Sequence, residues 1–281
     1  MKPTPALLAA ALAAAFVSAP AAHAQDWAKS RLENSPRHLE FVKIPAGPRV
    51  VTAAIAFPEV KAKATAVIVI HEIFGLSDWV RGVTDQLAEA GYIAIAPDLL
   101  SGMAPKGGGS DELGVGDGVR KVIGSLPPAQ ITADLDAVAA YVAKLPACNG
   151  KVVVAGFCWG GGQSFRYATN NKNLSAALAF YGTGPTDAAD LARIACPVLG
   201  FYGGNDARVN STIEKSTELM KAAGKTYEPV IYDGAGHGFM RAGEMPAPAA
   251  DADEKTKIAY AANAKARAEA WQRWLALLKK L

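Results

Sequence analysis

Cys158, Asp206 and His237 follow one another along the chain in contexts that suit nucleophilic hydrolysis. Cys158 lies in Gly156-Phe157-Cys158-Trp159-Gly160, the GxSxG pattern of a strand-to-helix elbow with sulfur in place of oxygen. Such a turn holds its nucleophile in a strained backbone conformation, and the glycines two residues to either side let it close. At a helix start, unpaired N–H groups and the helix dipole favour the thiolate. The plain alternative is a small buried cysteine beside a tight glycine turn; the strand before and the helix after Cys158 favour the nucleophile. A nucleophile of this kind needs a base within reach and a third group to orient the base. Asp206, in Gly203-Gly204-Asn205-Asp206, and His237, in Gly234-Ala235-Gly236-His237-Gly238-Phe239, each follow an expected strand. Nucleophile, acid, histidine is the α/β-hydrolase order. His38 and His71 lie outside any post-strand glycine loop, which leaves His237 as the base.

A second cluster, His71-Glu72-Ile73-Phe74-Gly75, begins like the zinc motif HExxH. Gly75 stands where the second histidine belongs, and the segment ends a strand rather than riding on a helix, so the zinc reading fails. A strand end of this kind instead supplies an oxyanion-hole amide, here that of Ile73, with the Trp159 amide as its partner. Glu72 taken alone is read as a carboxylate satisfied by loop amides, because an unpaired buried charge is costly.

These residues need a scaffold, and the hydrophobic pattern supplies one. Residues 39–44 and 50–57 read as an antiparallel pair at a sheet edge, separated by Pro45-Ala46-Gly47-Pro48. Residues 65–70 form a continuous apolar run, as in a strand covered on both faces, and a helix is expected over 77–90 with Ser77 as its cap and Gly91 at its end. Further strands are expected at 92–96, 151–157, 176–181, 197–202 and 227–232. Helices are expected at 131–144, from the elbow to residue 167, at 212–223, and along the last stretch to residue 278. Residues 101–118, with Gly107-Gly108-Gly109, read as a mobile loop. Alternation of this kind predicts a three-layer α/β-hydrolase fold, a mostly parallel sheet with helices on both faces. Catalytic groups then gather beyond the carboxyl ends of the strands.

The chain has 281 residues, of which 51% are hydrophobic and 20% charged, enough to bury one large core. No linker, charge block or repeat divides it, so residues 25–281 are expected to form one domain. Residues 1–24 read as a secretory leader: Lys2, an Ala/Leu-rich run over 6–17, and Ala22-His23-Ala24 as the cleavage site. Pro20 ends the apolar run well short of the ~20 residues that a membrane span needs. A periplasmic or secreted protein without stable membrane insertion is expected. A net charge of +3 with no Lys/Arg stripe argues against a nucleic-acid partner. A monomer or small homo-oligomer is expected, and neither a metal nor an organic cofactor is needed for this chemistry.

The four motifs together resemble the dienelactone hydrolases over nearly the whole chain after the leader. The specific part is the cysteine elbow combined with the glutamate loop, since ordinary serine esterases have neither. The resemblance implies that Cys158, Asp206 and His237 are catalytic, and that Glu72 holds the resting thiol and helps to take its proton when substrate binds. It also implies arginines for a substrate carboxylate: Arg241, four residues after the histidine, and Arg120. Tyr181 completes the expected substrate-binding set. The implied substrate is an enol lactone or ester of a small carboxylate-bearing molecule. A broader carboxylesterase or thioesterase, and a catalytically weak carboxylate-binding protein, are the alternatives. The export leader and the glycine-rich loop before Arg120 depart from the family, so fold and mechanism transfer better than substrate. A thiol redox protein is disfavoured because the chain has no CxxC. Cys148 and Cys196 each lie near the start of an expected strand; if those strands are neighbours, about 4.8 Å apart, the two can form a disulfide, with two buried free thiols as the alternative.

Overall fold

The computed structural model describes residues 23–114, 116–242 and 245–281; residues 1–22 of the expected leader lie outside the described residues. One eight-stranded sheet organises the chain. Its strands are β1 (Leu39–Ala46), β2 (Arg49–Ala56), β3 (Ala64–Ile70), β4 (Ile93–Pro97), β5 (Cys148–Phe157), β6 (Ala176–Phe180), β7 (Val198–Gly203) and β8 (Tyr227–Tyr232). They lie in the order β1-β2-β4-β3-β5-β6-β7-β8. β1 pairs antiparallel with β2, and β2 with β4, while all pairs from β4 to β8 are parallel. The edge hairpin is the one read from the sequence.

Every residue of β3, β4 and β6 is buried, which is why these segments are unbroken apolar runs. Side chains alternate between the two faces. On one face Ile68, Ile70 and Val154 pack with Leu135 and Val138 of α5 (Pro128–Ala143) and Phe165 of α6 (Trp159–Ala168). On the other, Val67, Val69 and Phe157 pack with Trp79 and Val83 of α2 (Asp78–Glu89) and Trp274 of the C-terminal helix over Glu254–Leu278. Ser77 caps α2 by accepting the Val80 N–H.

An additional helix, α1 (His23–Glu33), lies against α2, with Ala28 fully buried beside Gly82. The stretch 101–118 is more structured than a long loop: it contains a turn of helix, α3 (Ser110–Leu113), and the start of α4 (Asp117–Ile123). Asp98 anchors it by accepting the Ser110 N–H and hydroxyl, each at 2.7 Å. Glu112 closes the glycine run by accepting the Lys106 and Gly108 N–H groups at 2.7 and 2.9 Å. Side-chain acceptors thus fix a segment whose glycines alone argue for looseness.

The disulfide expectation is corrected. All three cysteines are free. Cys148 heads β5 and Cys196 precedes β7, but β6 lies between those strands. Two strand spacings amount to about 9.6 Å, beyond the ~7 Å a disulfide can span. The two thiols are buried in the core on one face of the sheet.

Candidate active site

Cys158 sits between β5 and α6 with φ 56° and ψ −117°, a conformation that costs energy for a non-glycine residue. Its backbone is held by neighbours: the Cys158 N–H donates to the Phe180 carbonyl at 3.0 Å, and its carbonyl accepts from the Gly161 and Gly162 N–H groups. The flanking glycines are sterically required. A Cβ on Gly156 would stand 1.9 Å from the Gly160 oxygen, and one on Gly160 would stand 2.3 Å from the His71 oxygen. The second contact brings the end of β3 against the elbow.

Asp206 and His237 lie in loops after β7 and β8 that are joined to each other. The Asn205 N–H donates to the Ala235 carbonyl and its side-chain amide to the Gly234 carbonyl, both at 2.9 Å. The Gly236 N–H donates to Asn263 of the C-terminal helix at 2.8 Å. Held this way, His237 Nδ1 stands 2.5 Å from Asp206 Oδ2. Burial alone would lower the imidazole pKa, but the hydrogen bond to Asp206 and the interaction with Cys158 push it up to about 9. Burial would likewise raise Asp206, yet its bond to His237 holds it below the ordinary carboxylate value. The Tyr181 ring, itself at φ 40°, meets the His237 ring edge-on at 5.0 Å.

Ile73 and Trp159 N–H groups donate to no acceptor among the described residues. Both residues line a cavity of about 580 Å³ together with Cys158 and Tyr181. A larger hollow of about 620 Å³ lies between the β1–β2 hairpin and the 101–111 segment. It contains none of the candidate groups, so the cavity at Cys158 is where the chemistry belongs.

Glu72 is buried, and its partner is neither a loop amide nor the thiol. Arg241 holds it, with Nε 2.9 Å from Oε2 and Nη2 3.1 Å from Oε1. Arg241 sits in a 3-10 turn, Phe239–Ala242, directly after His237. Burial would lower its pKa, but the Glu72 charge raises it above the ordinary guanidinium value. The Tyr181 hydroxyl is buried near Glu72, and burial with the Glu72 charge lifts its pKa well above the usual phenol value. Arg241 and Arg120 both lie over the Phe74 ring, at 5.2 and 5.1 Å, and Arg120 pairs with Asp117 at 3.3 Å. Neither lines the cavity at Cys158. Gln163, Arg166 and Arg208 do; the sequence reading missed them, though Arg208 stands two residues after Asp206.

His71 is structural. Its Nδ1–H donates to the Glu72 carbonyl at 2.8 Å, Nε2 accepts the Leu99 N–H at 3.4 Å, and the ring stacks on Trp159. Burial lowers its pKa. Among the described residues no group of His, Cys, Asp or Glu is placed to hold a metal ion.

A mostly parallel sheet with a strained strand-to-helix elbow after β5 defines an α/β-hydrolase fold. Within that superfamily the chain belongs to the dienelactone hydrolase family, whose profile matches residues 51–281. It is 36% identical over 211 residues to a Methylorubrum extorquens protein provisionally named carboxymethylenebutenolidase, covering 70% of this chain and 71% of that one. A Synechocystis protein with the same provisional name is 31% identical over 77% of this chain and 94% of its own. The solved structure of a dienelactone hydrolase, also provisionally named, from Klebsiella pneumoniae is 30% identical with a TM-score of 0.71, covering 87% of this chain and 99% of that one. Family membership makes the protein a hydrolase of ester or lactone bonds.

Proposed function

We propose that this protein is an exported cysteine hydrolase that cleaves a lactone or ester of a small carboxylate-bearing molecule. The observation that carries the reading is the strained Cys158 at the helix start, in one cavity with the residues of two unengaged N–H groups and coupled to the His237–Asp206 pair. In the proposed reaction the Cys158 thiol proton passes to His237 as Sγ attacks the substrate carbonyl carbon, and the Ile73 and Trp159 N–H groups take the developing oxyanion. Collapse breaks the carbonyl C–O bond; the proton on His237 passes to the departing oxygen and leaves a thioester on Cys158. His237 then takes a proton from water, whose oxygen attacks the thioester carbon; the C–S bond breaks, the acid is released, and the proton on His237 returns to Cys158 Sγ. Asp206 keeps the imidazole oriented throughout. Glu72, held by Arg241 in the resting site, is the carboxylate that can assist His237 in taking the thiol proton.

A hydrolysis screen of lactones, aryl esters and thioesters tests the reading. Cys158→Ala and His237→Ala should each lower turnover by about three orders of magnitude or more, because nucleophile and base act as one unit, with circular dichroism unchanged. Turnover like that of the wild type in either variant removes the assignment.

A further inference from the structure

The C-terminal helix over Glu254–Leu278 buries one stripe, made of Ala266, Ala270, Trp274 and Leu278. Asn263 stands on the same stripe, about three turns before Trp274, where the pattern would next place an apolar residue. The two ends of this stripe serve different members of the site. The Trp274 ring packs on Phe157 and Phe180 at 6.1 and 5.1 Å between centroids. Phe157 is the residue before Cys158, and the Phe180 carbonyl accepts the Cys158 N–H. Asn263 Oδ1 accepts the Gly236 N–H at 2.8 Å, one residue before His237. The His237 N–H itself donates to no acceptor among the described residues, so the ring is placed by the residues that precede it. On their other side these residues lie against the end of β7: a Cβ on Gly203 would stand 2.6 Å from both the Ala235 and the Gly236 oxygens. The loop is clamped between β7 and the C-terminal helix, with Asn263 as a polar contact on the helix side.

We propose that Asn263 is a positioning residue: by holding the Gly236 N–H it fixes where the His237 ring stands, and the helix that carries it ties that loop to the strands behind Cys158. The proposal rests on the hydrolase reading and adds a residue to the same site. Without the acceptor the Gly236 N–H is left unsatisfied, and the loop shifts to recover a partner. A displaced base costs rate in the chemical step rather than in substrate binding. Burial lowers the imidazole pKa, while Asp206 and Cys158, the titratable groups that act on it, push it up to about 9; displacement weakens both contacts and lets the value fall.

Hydrolysis of 4-nitrophenyl acetate and an NMR titration of histidine-labelled protein test this together, with His237→Gln assigning the His237 resonance. Asn263→Ala, with the best helix former in place of the acceptor, should lower kcat about tenfold and keep KM within about twofold. The His237 titration should move in that variant from near 9 toward the ordinary 6.5. Asn263→Asp, which keeps the acceptor, should hold kcat within about twofold of the wild type and the titration no lower. Leu278→Ala, on the same stripe about four turns further along, should lower Tm at least as much and change neither readout. A wild-type kcat and titration in Asn263→Ala, or losses that Leu278→Ala reproduces, overturn the proposal. A titration that follows Asn263 in a protein hydrolysing no ester, lactone or thioester would instead sink the hydrolase reading and leave the positioning role standing.

Discussion

At the scale of single residues, His237 and Glu72 are each held by one charged partner, Asp206 and Arg241. His237, pushed up to about 9 from an ordinary 6.5, has a pKa raised by folding. Its contribution to stability is therefore complete below about pH 6.5 and is lost as pH rises through about 9. Denaturant titrations between pH 6.5 and 9 should show wild-type stability declining, and His237→Gln should flatten that decline; parallel curves would mean that the imidazole is not held as an ion. Glu72 makes a different prediction, since Arg241 rather than the thiol holds it in this structure. Glu72→Gln should lower kcat on every active ester by about ten- to a hundredfold, less than Cys158→Ala, and a silent substitution would remove Glu72 from the chemistry. The order of Cys158, Asp206 and His237 was legible because each follows a strand in a glycine context. The Glu72–Arg241 pair was not, because its members are 169 residues apart and only the close approach of the β3 and β8 loops joins them.

Elements were legible wherever burial on two faces or a clear helical period set the pattern, as in β3 and α2. They were missed where a few residues are shaped by their neighbours, as in the short helices over Ser110–Leu113 and Ala207–Asn210, the latter capped by the same Asp206 that holds His237. Helix α1 was missed for another reason: its first residues look like the end of a leader. What holds α1 is an ion-pair cluster. The Asp85 side chain, fully buried on α2, accepts from Arg31 at 2.6 Å, Ser35 at 2.5 Å, and Arg37 at 2.6 and 2.8 Å. Burial would raise the Asp85 pKa, but Arg37, Ser35 and Arg31 hold it below the ordinary 3.8. Its stabilisation is present above about pH 4 and is lost as pH falls through that depressed value. Asp85→Ala, which leaves Arg31 and Arg37 with the more exposed Glu89 as their acidic partner, should cost about 2 kcal/mol by chemical denaturation and speed tryptic cleavage at Arg31 and Arg37. A variant as stable and as resistant as the wild type would show that the cluster does not hold the helix.

Over the whole molecule, topology decides a question that strand spacing alone answers wrongly. A cysteine near the start of each of two core strands suggests a bridge only if those strands are neighbours, and here β6 separates β5 from β7. The sequence links export and a disulfide by compartment alone, and the free cysteines bear on the bond and not on export. We propose that the leader is removed after Ala24; Gln25 would then lie within α1, and the helix would pack on α2 with only His23 and Ala24, about half a turn, trimmed. Recovered from the periplasm or the medium, the protein should begin at Gln25 on N-terminal sequencing. Denatured without reductant, it should titrate three thiols, because Cys148 and Cys196 are buried and about two strand spacings apart. Burial also pushes the Cys196 thiol up to about 11, which keeps it in its unreactive form in an oxidising compartment. In the folded protein Cys158 alone should react quickly with iodoacetamide. One thiol in the denatured titration would mean that β5 and β7 approach each other in a way this sheet order forbids.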